Sequence, residues 1–178
     1  MADDVKEKPP ALQLLKQDWD RFALYVLTFV HMGAFLGIIG PTLLHLAAQT
    51  DTNVQGQAII LGLRSVGFFL GSLLAGFCFD RFGHGNELLL ITFVLAGALT
   101  LFIPSTPSVY AYGLMSVGQA MTCGMMDNLV QVMIIKHFNA NLNPFMQSIH
   151  CGFGIGALLS PIIVRPGQEV ICLRAVGK

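Results

Sequence analysis

Charge is scarce in this sequence. Of its 178 residues only 11% are Asp, Glu, Lys or Arg, and nine of those twenty lie within the first 21 positions. The ten basic and ten acidic residues cancel, and no basic patch of the kind that binds nucleic acid is present. Hydrophobic residues make up 54% of the chain, which is typical of an integral membrane protein. We therefore predict a lipid bilayer, and no nucleic acid, as a partner.

Cysteine is also sparse, and its four copies lack the spacing of a metal site or a disulfide framework. Cys78, Cys123 and Cys151 lie inside apolar runs, where cysteine behaves as a small core residue. We find no candidate nucleophile, metal cluster or pair of catalytic acids, so we expect neither an enzyme nor a cofactor. Residues 1–21 are too acidic for a signal peptide, and the apolar run after them is too long for one.

Five runs with little or no charge are long enough to cross a bilayer, whose core of about 30 Å takes roughly 20 helical residues. They cover residues 22–48, 58–79, 88–103, 109–135 and 144–164. The connections are short and polar, so consecutive helices must be antiparallel. We predict an all-α, polytopic membrane bundle at 22–164, with a cytoplasmic N-terminal segment at 1–21 and an atypical polar tail at 165–178.

Lysine and arginine lie on one side of this predicted bundle. They precede the first helix and follow the second and fourth, whereas the loops after the first and third contain none. Because cytoplasmic loops retain positive charge, this pattern predicts a cytoplasmic N-terminus. Five crossings would leave Arg165, Arg174 and Lys178 outside, so either the tail is atypical or a sixth crossing is missing.

Small and polar residues recur at helical spacing on one face of four of these five helices. In chain order the faces are Gly33, Gly37 and Gly40; Arg64, Gly67, Gly71 and Ala75; Gly113, Ala120, Gly124, Asp127 and Gln131; and Gln147, His150, Gly154 and Pro161. The pattern predicts a transporter-like bundle in which helices one, two, four and five enclose a hydrophilic pathway, with helix three peripheral. The glycines alone also fit packing seams.

Two charged residues, Arg64 and Asp127, lie within the predicted helices, each at a cost of at least about 2.5 kcal/mol on insertion scales. Helical rise puts Asp127 and His150 near one depth and Arg64 closer to the outside. We hypothesise that Asp127 and His150 form or approach a pair that takes up a proton or helps to hold a cation. The alternative is a static pair that only orders the helices. His31 and His45 either line the pathway or are structural.

The segment GFCFDRFGHG follows the second helix. Its pattern resembles the loop Gly-x-Leu-x-Asp-Arg-x-Gly-basic-basic of the major facilitator superfamily. Four residues match in register: Gly76, Asp80, Arg81 and Gly83. Cys78 replaces the usual leucine, and His84 and Gly85 replace the basic pair. The resemblance implies a conformational latch whose Asp80 approaches the positive end of a helix in the protein's second half. The alternative is a simple interfacial turn.

Three further segments, GPTLLHLAAQT, GMMDNLVQV and NPFMQSIHCGFGIGALLSPII, resemble one group in this superfamily. The group comprises the sodium-dependent glucose transporters 1 and the facilitator-domain-containing 4 proteins, relatives of fucose permeases. The resemblance implies alternating-access transport of a hexose such as glucose, coupled to sodium or protons, at the plasma membrane. It makes Asp127, Gln131, Gln147 and His150 candidates for a central cavity. With His31 and Arg64 they form the predicted substrate and ion pathway.

Members of this superfamily have two six-helix halves that hold substrate between them, whereas this chain supplies five helices. The resemblance therefore implies a truncated N-terminal half whose partner is a missing C-terminal half. The alternative is a non-transporting subunit, or inhibitory isoform, that binds a full-length transporter through its glycine-rich faces.

Overall fold

The computed structural model describes residues 11–49, 52–106, 108–139 and 142–176, and over these ranges the regular structure is helical. The helices are α1 Ala11–Gln17, α2 Trp19–Gln49, α3 Val54–Phe82, α4 Gly85–Phe102, α5 Val109–Phe138 and α6 Leu142–Val176, with a 3-10 turn at Ile103–Ser105. Some charges used to predict the orientation lie outside the described residues, namely Lys6, Lys8 and Lys178. So do the side chains of His45, Arg165 and Arg174.

Local sequence sets both ends of α3. Asn53 precedes the helix in an extended conformation, and its Oδ1 accepts a hydrogen bond from the Gly56 N–H at 2.8 Å. This bond satisfies one of the free donors of the first turn. Gly83 ends the helix with a φ of 70°, a left-handed conformation that favours glycine, and its N–H donates to the Phe79 carbonyl at 2.9 Å. The chain can therefore reverse at once and begin α4 at Gly85.

The five long helices alternate in direction, as their short connections predict. Helix α2 packs along α6, α3 packs along α5, and α4 packs chiefly against α5. Contacts advance together along both partners, from Gly33 with Phe153 to Gly37 with Ala157, and from Gly67 with Val117 to Gly71 with Met121. The members of each of these pairs therefore run parallel. Helix α4 lies outside the two pairs.

Glycine brings the backbones of α3 and α5 into direct contact. A Cβ atom at Gly71 would meet the Met121 carbonyl oxygen, and one at Gly124 would meet a carbonyl oxygen of α3. Two hydrogen bonds join the same turns: Ser72 Oγ donates to the Gly124 carbonyl at 3.2 Å, and Asn128 Nδ2 donates to the Ser72 carbonyl at 2.8 Å. These glycines thus form a packing seam, as small residues do between membrane helices.

Among the described residues, four helices are long and apolar enough to cross a membrane: α2, α3, α4 and α6. The corresponding spans are Trp19–Leu43, Gln55–Phe82, Gly85–Phe102 and Leu142–Val164. Helix α5 forms where the fourth span is predicted, but it is not one of the four. It carries many buried polar and small side chains, because it lies in contact with α3, α4 and α6 rather than with lipid alone.

The predicted polar face of the fifth span does not turn into the bundle. Its members Gln147, His150 and Pro161 are exposed, and a Cβ at Gly154 would meet no described atom within 4 Å. The packed face of α6 instead carries Gly152 and Gly156, which contact α2. Helical periodicity identifies residues that share a face but not the neighbour that the face meets.

Candidate functional site

Helices α2, α3, α5 and α6 line a half-open cavity of about 430 Å³, and these are the four helices that the sequence predicts to enclose a pathway. Its lining comprises Met32, Phe35, Leu36, Ile39, Leu61, Arg64, Ser65, Phe68, Ala120, Cys123 and Phe153. Most of these side chains are apolar, so the prediction of hydrophilic walls is wrong for the described lining. Several glycines of the predicted faces, among them Gly33, Gly67 and Gly124, are used in contacts between backbones, and mostly larger apolar side chains surround the cavity.

Arg64 supplies the positive charge of this cavity. Its Nη2 donates to Gln119 Oε1 of α5 at 3.3 Å, and its guanidinium carbon lies 4.8 Å from the centre of the Phe35 ring. Gln119 is fully buried, and its Nε2 donates in turn to Cys123 Sγ at 3.1 Å. The cation is thus held by an amide and an aromatic face. Among the described residues no carboxylate forms an ion pair with Arg64.

Asp127 lies on the same helix as Gln119 but about 12 Å further along its axis, at 1.5 Å per residue. Its Oδ2 accepts a hydrogen bond from Gln131 Nε2 at 3.1 Å. His150 of α6 packs edge-on against Phe29, with ring centres 5.4 Å apart. Asp127 and Gln131 therefore form a second polar group, separate from the lining around Arg64.

The other predicted pathway residues lie away from the cavity. Gln147 is exposed on α6, one turn before His150. His31 packs against Phe93 of α4, with ring centres 5.2 Å apart, and its buried Nδ1 has no hydrogen-bond partner among the described residues. Neither side chain belongs to the described lining. Sharing a helix with cavity residues did not bring them to the cavity.

The predicted latch residues lie at the junction of α3 and α4. Asp80 and Arg81 are exposed, a Cβ at Gly76 would meet no described atom within 4 Å, and Gly83 terminates α3. Beside them, Lys136 of α5 lies 5.5 Å from the Phe79 ring centre. The described residues thus leave the Asp80 carboxylate accessible at a helix end.

Two amide side chains that form hydrogen bonds between helices are not among the residues that the sequence singled out. Gln119 holds Arg64, and Asn128 binds the α3 backbone. Both are amides inside an apolar run, which is the signal that singled out Gln131 on the same helix. Gln119 could have been found as a neutral acceptor for Arg64, because a cation in an apolar setting requires one.

Comparisons with known proteins agree with this architecture. The sequence profile of the Major Facilitator Superfamily matches residues 24–165. The chain is 24% identical to Major facilitator superfamily domain-containing protein 4A of Danio rerio, over 86% of this chain and 29% of the relative. It is 30% identical to Sodium-dependent glucose transporter 1 of Xenopus laevis, over 78% of this chain and 28% of the relative. It is also 30% identical to Sodium-dependent glucose transporter 1A of Mus musculus, over 77% of this chain and 32% of the relative. The chain therefore spans less than a third of these relatives, and no solved structure matches it.

Proposed function

Because the chain belongs to the major facilitator superfamily, whose members are multi-pass membrane transporters, we propose that it takes part in secondary active transport of a monosaccharide. The proposed substrate is a hexose, with glucose first, moved by alternating access and coupled to sodium or protons. The names of two relatives, both sodium-dependent glucose transporters, support this choice. The observation that carries the proposal is the family match over residues 24–165, and the cavity of about 430 Å³ lined by α2, α3, α5 and α6 has a size typical of small-molecule sites.

The coupling site of this proposal is the polar group around Asp127. The Asp127 carboxylate accepts a hydrogen bond from Gln131, and in this proposal His150 of α6 joins it in taking up a proton or helping to hold a cation. Gln147 lies one turn away on the same helix as His150 and would contact solute at the exposed face of α6. Arg64 would contact substrate in the cavity. His31, which packs against Phe93 of α4, would contact substrate or ion from that side of the bundle.

The latch proposal concerns Gly76, Asp80, Arg81 and Gly83. The left-handed turn at Gly83 ends α3 abruptly and keeps the Asp80 carboxylate at the end of the helix. There it could accept hydrogen bonds from the N-terminus of a helix that is not part of this chain, where the helix dipole favours negative charge. We propose that this contact holds the cytoplasmic side closed.

The chain spans less than a third of its relatives, so the complete transport activity is proposed for an assembly. In this proposal residues 22–164 are part of an N-terminal transmembrane half, flanked by a cytoplasmic segment at 1–21 and a tail at 165–178. Its partner is a C-terminal half that closes the cavity. The proposed cellular location of this assembly is the plasma membrane.

A second candidate function is that of a non-transporting subunit that binds a full-length transporter. The exposed face of α6 supports it, because Gln147 and His150 are polar side chains on the outside of an apolar span. Gly154 on this face and Gly40 on α2 have open space where a Cβ would lie, so a further helix could approach closely.

Uptake of labelled glucose into proteoliposomes distinguishes the two candidates. The chain is reconstituted alone, with the C-terminal half of a sodium-dependent glucose transporter, and with the full-length transporter, under an inward sodium or proton gradient. Gradient-driven uptake that needs the C-terminal half supports the proposed assembly, whereas uptake by the chain alone excludes both the missing half and the subunit candidate. A change in uptake by the full-length transporter, without uptake by the other two preparations, supports the subunit. No uptake by the chain with or without the C-terminal half, and no effect on the full-length transporter, contradict both candidates.

In a preparation that shows uptake, Asp127→Asn tests the coupling site. Asparagine keeps an acceptor for Gln131 but removes the charge. We expect gradient-driven uptake to fall about tenfold or more, because a hydrogen bond to a charged group typically contributes about 1.5–3 kcal/mol. The control is Glu87→Gln, the same chemical change at an exposed residue in the first turn of α4. Unaltered coupling in D127N would contradict the proposed role.

A further inference from the structure

The walls of the cavity offer little to a polyhydroxylated ligand. Three phenylalanine side chains, Phe35, Phe68 and Phe153, face it together with aliphatic residues. Apart from Arg64, the described lining contributes polar side-chain atoms only from Ser65 and Cys123. Moving a hydroxyl group of a ligand from water to a site without a hydrogen-bond partner costs free energy, which weakens binding. These walls therefore favour a ligand with an apolar body.

The charge in the cavity is positive and lacks an anionic partner among the described residues. A guanidinium group has five N–H donors, and the described side-chain acceptor of Arg64 is Gln119, at 3.3 Å. The described lining contains no acidic side chain, and Asp127 lies about two helical turns from Gln119. A charge in an apolar environment is costly unless an opposite charge compensates it. An anion beside Arg64 would supply that compensation.

We propose that this cavity binds amphiphilic organic monocarboxylates, with the carboxylate on the Arg64 guanidinium and an apolar body against Phe35, Phe68 and Phe153. The planar fork of arginine matches both oxygens of a carboxylate. Because the described lining contains one cation and no further basic residue, it favours a ligand with a single negative charge. This proposal rests on the proposed function for the transport step, and it assigns this cavity to a carboxylate of similar size rather than to a neutral hexose.

Binding to the full chain in nanodiscs tests the proposal by calorimetry at neutral pH. The probes are phenylbutyrate and its neutral amide, which share one apolar body and differ in charge. We expect wild type to bind phenylbutyrate about tenfold or more tightly than the amide. In Arg64→Gln we expect the affinity for the carboxylate to fall to that for the amide. Arg64→Lys keeps the charge without the fork and is expected to lie between the two.

Lys136→Gln is the matched control, since it removes a cation from the end of α5, outside the lining, and should leave both affinities unchanged. The proposal is overturned if wild type does not bind phenylbutyrate, binds both probes equally, or keeps its preference in R64Q. The comparison of probes on wild type, together with R64K, decides the question if R64Q does not fold. Glucose uptake without phenylbutyrate binding would overturn this proposal alone, whereas binding without uptake would support it and count against hexose transport.

Discussion

Replacing Gly71 by alanine tests whether the contact between the α3 and α5 backbones holds the bundle together. A Cβ at this position would lie 2.8 Å from the Met121 carbonyl carbon and 2.9 Å from its Cα. Carbon atoms in van der Waals contact lie about 3.5–4.0 Å apart, so the two helices must separate by roughly 1 Å. Overpacking of this kind typically costs about 1–3 kcal/mol.

Two further effects act on the same substitution. Alanine is the better helix former by about 0.8–1.0 kcal/mol, which opposes the loss. Separation of the helices would also lengthen the hydrogen bonds from Ser72 to Gly124 and from Asn128 to Ser72, now 3.2 and 2.8 Å, each worth about 1 kcal/mol. These two effects offset each other in part, so we expect Gly71→Ala to lower the free energy of unfolding by about 1–3 kcal/mol.

The assay is unfolding of the purified chain at equilibrium in one detergent mixture. Gly62→Ala is the matched control, because Gly62 lies on the same helix and a Cβ there would meet nothing within 4 Å. Gly62→Ala should be neutral or stabilising by up to about 1 kcal/mol through helix propensity alone. If Gly71→Ala were as stable as Gly62→Ala, the close approach of the two helices would be refuted.

Two further substitutions test local features with the same unfolding assay. Gln119→Leu removes the buried acceptor of Arg64 and should lower the free energy of unfolding by about 1–3 kcal/mol. The double variant Arg64→Leu/Gln119→Leu should recover part of this loss, because it also removes the unpaired charge. If Gln119→Leu were as stable as wild type, the hydrogen bond between Arg64 and Gln119 would not be formed. Gly83→Ala places a side chain at a φ of 70° and should lower the free energy of unfolding by about 1–2 kcal/mol. Gly83→Asn should lower it less, because asparagine tolerates this conformation. If the alanine and asparagine variants were equally stable, the left-handed conformation at Gly83 would be contradicted.

The positions of the helices were predictable because hydrophobic length is a local property. Four of the five predicted spans lie within a long helix, the third, 88–103, extends one residue past the end of α4, and Gly83 ends α3 where the sequence places the turn. Helix α5 shows the limit of this signal. Its polar and small residues keep its hydropathy below that of a membrane-spanning stretch, yet they are the residues that lie buried at its contacts with the other helices. Hydropathy alone therefore identifies four of the five predicted crossings.

The candidate site was predictable only in part. The sequence singled out Arg64 because a charge in an apolar run is conspicuous, but not Gln119, which holds it from another helix. It grouped Gln147 and His150 with the interior, whereas α6 exposes both. A periodic pattern specifies a helix face, and the rotation of that face depends on which backbones approach most closely.

The amino-acid sequence by itself determined the helices, their alternating direction and the family, since these follow from apolar length, short connections and a local motif. Only the tertiary structure decided that the glycines are used in contacts between α2 and α6 and between α3 and α5, and that Arg64 faces apolar walls. The physical reason is that helix packing depends on the fit of two surfaces, and one helix's sequence contains only one of them.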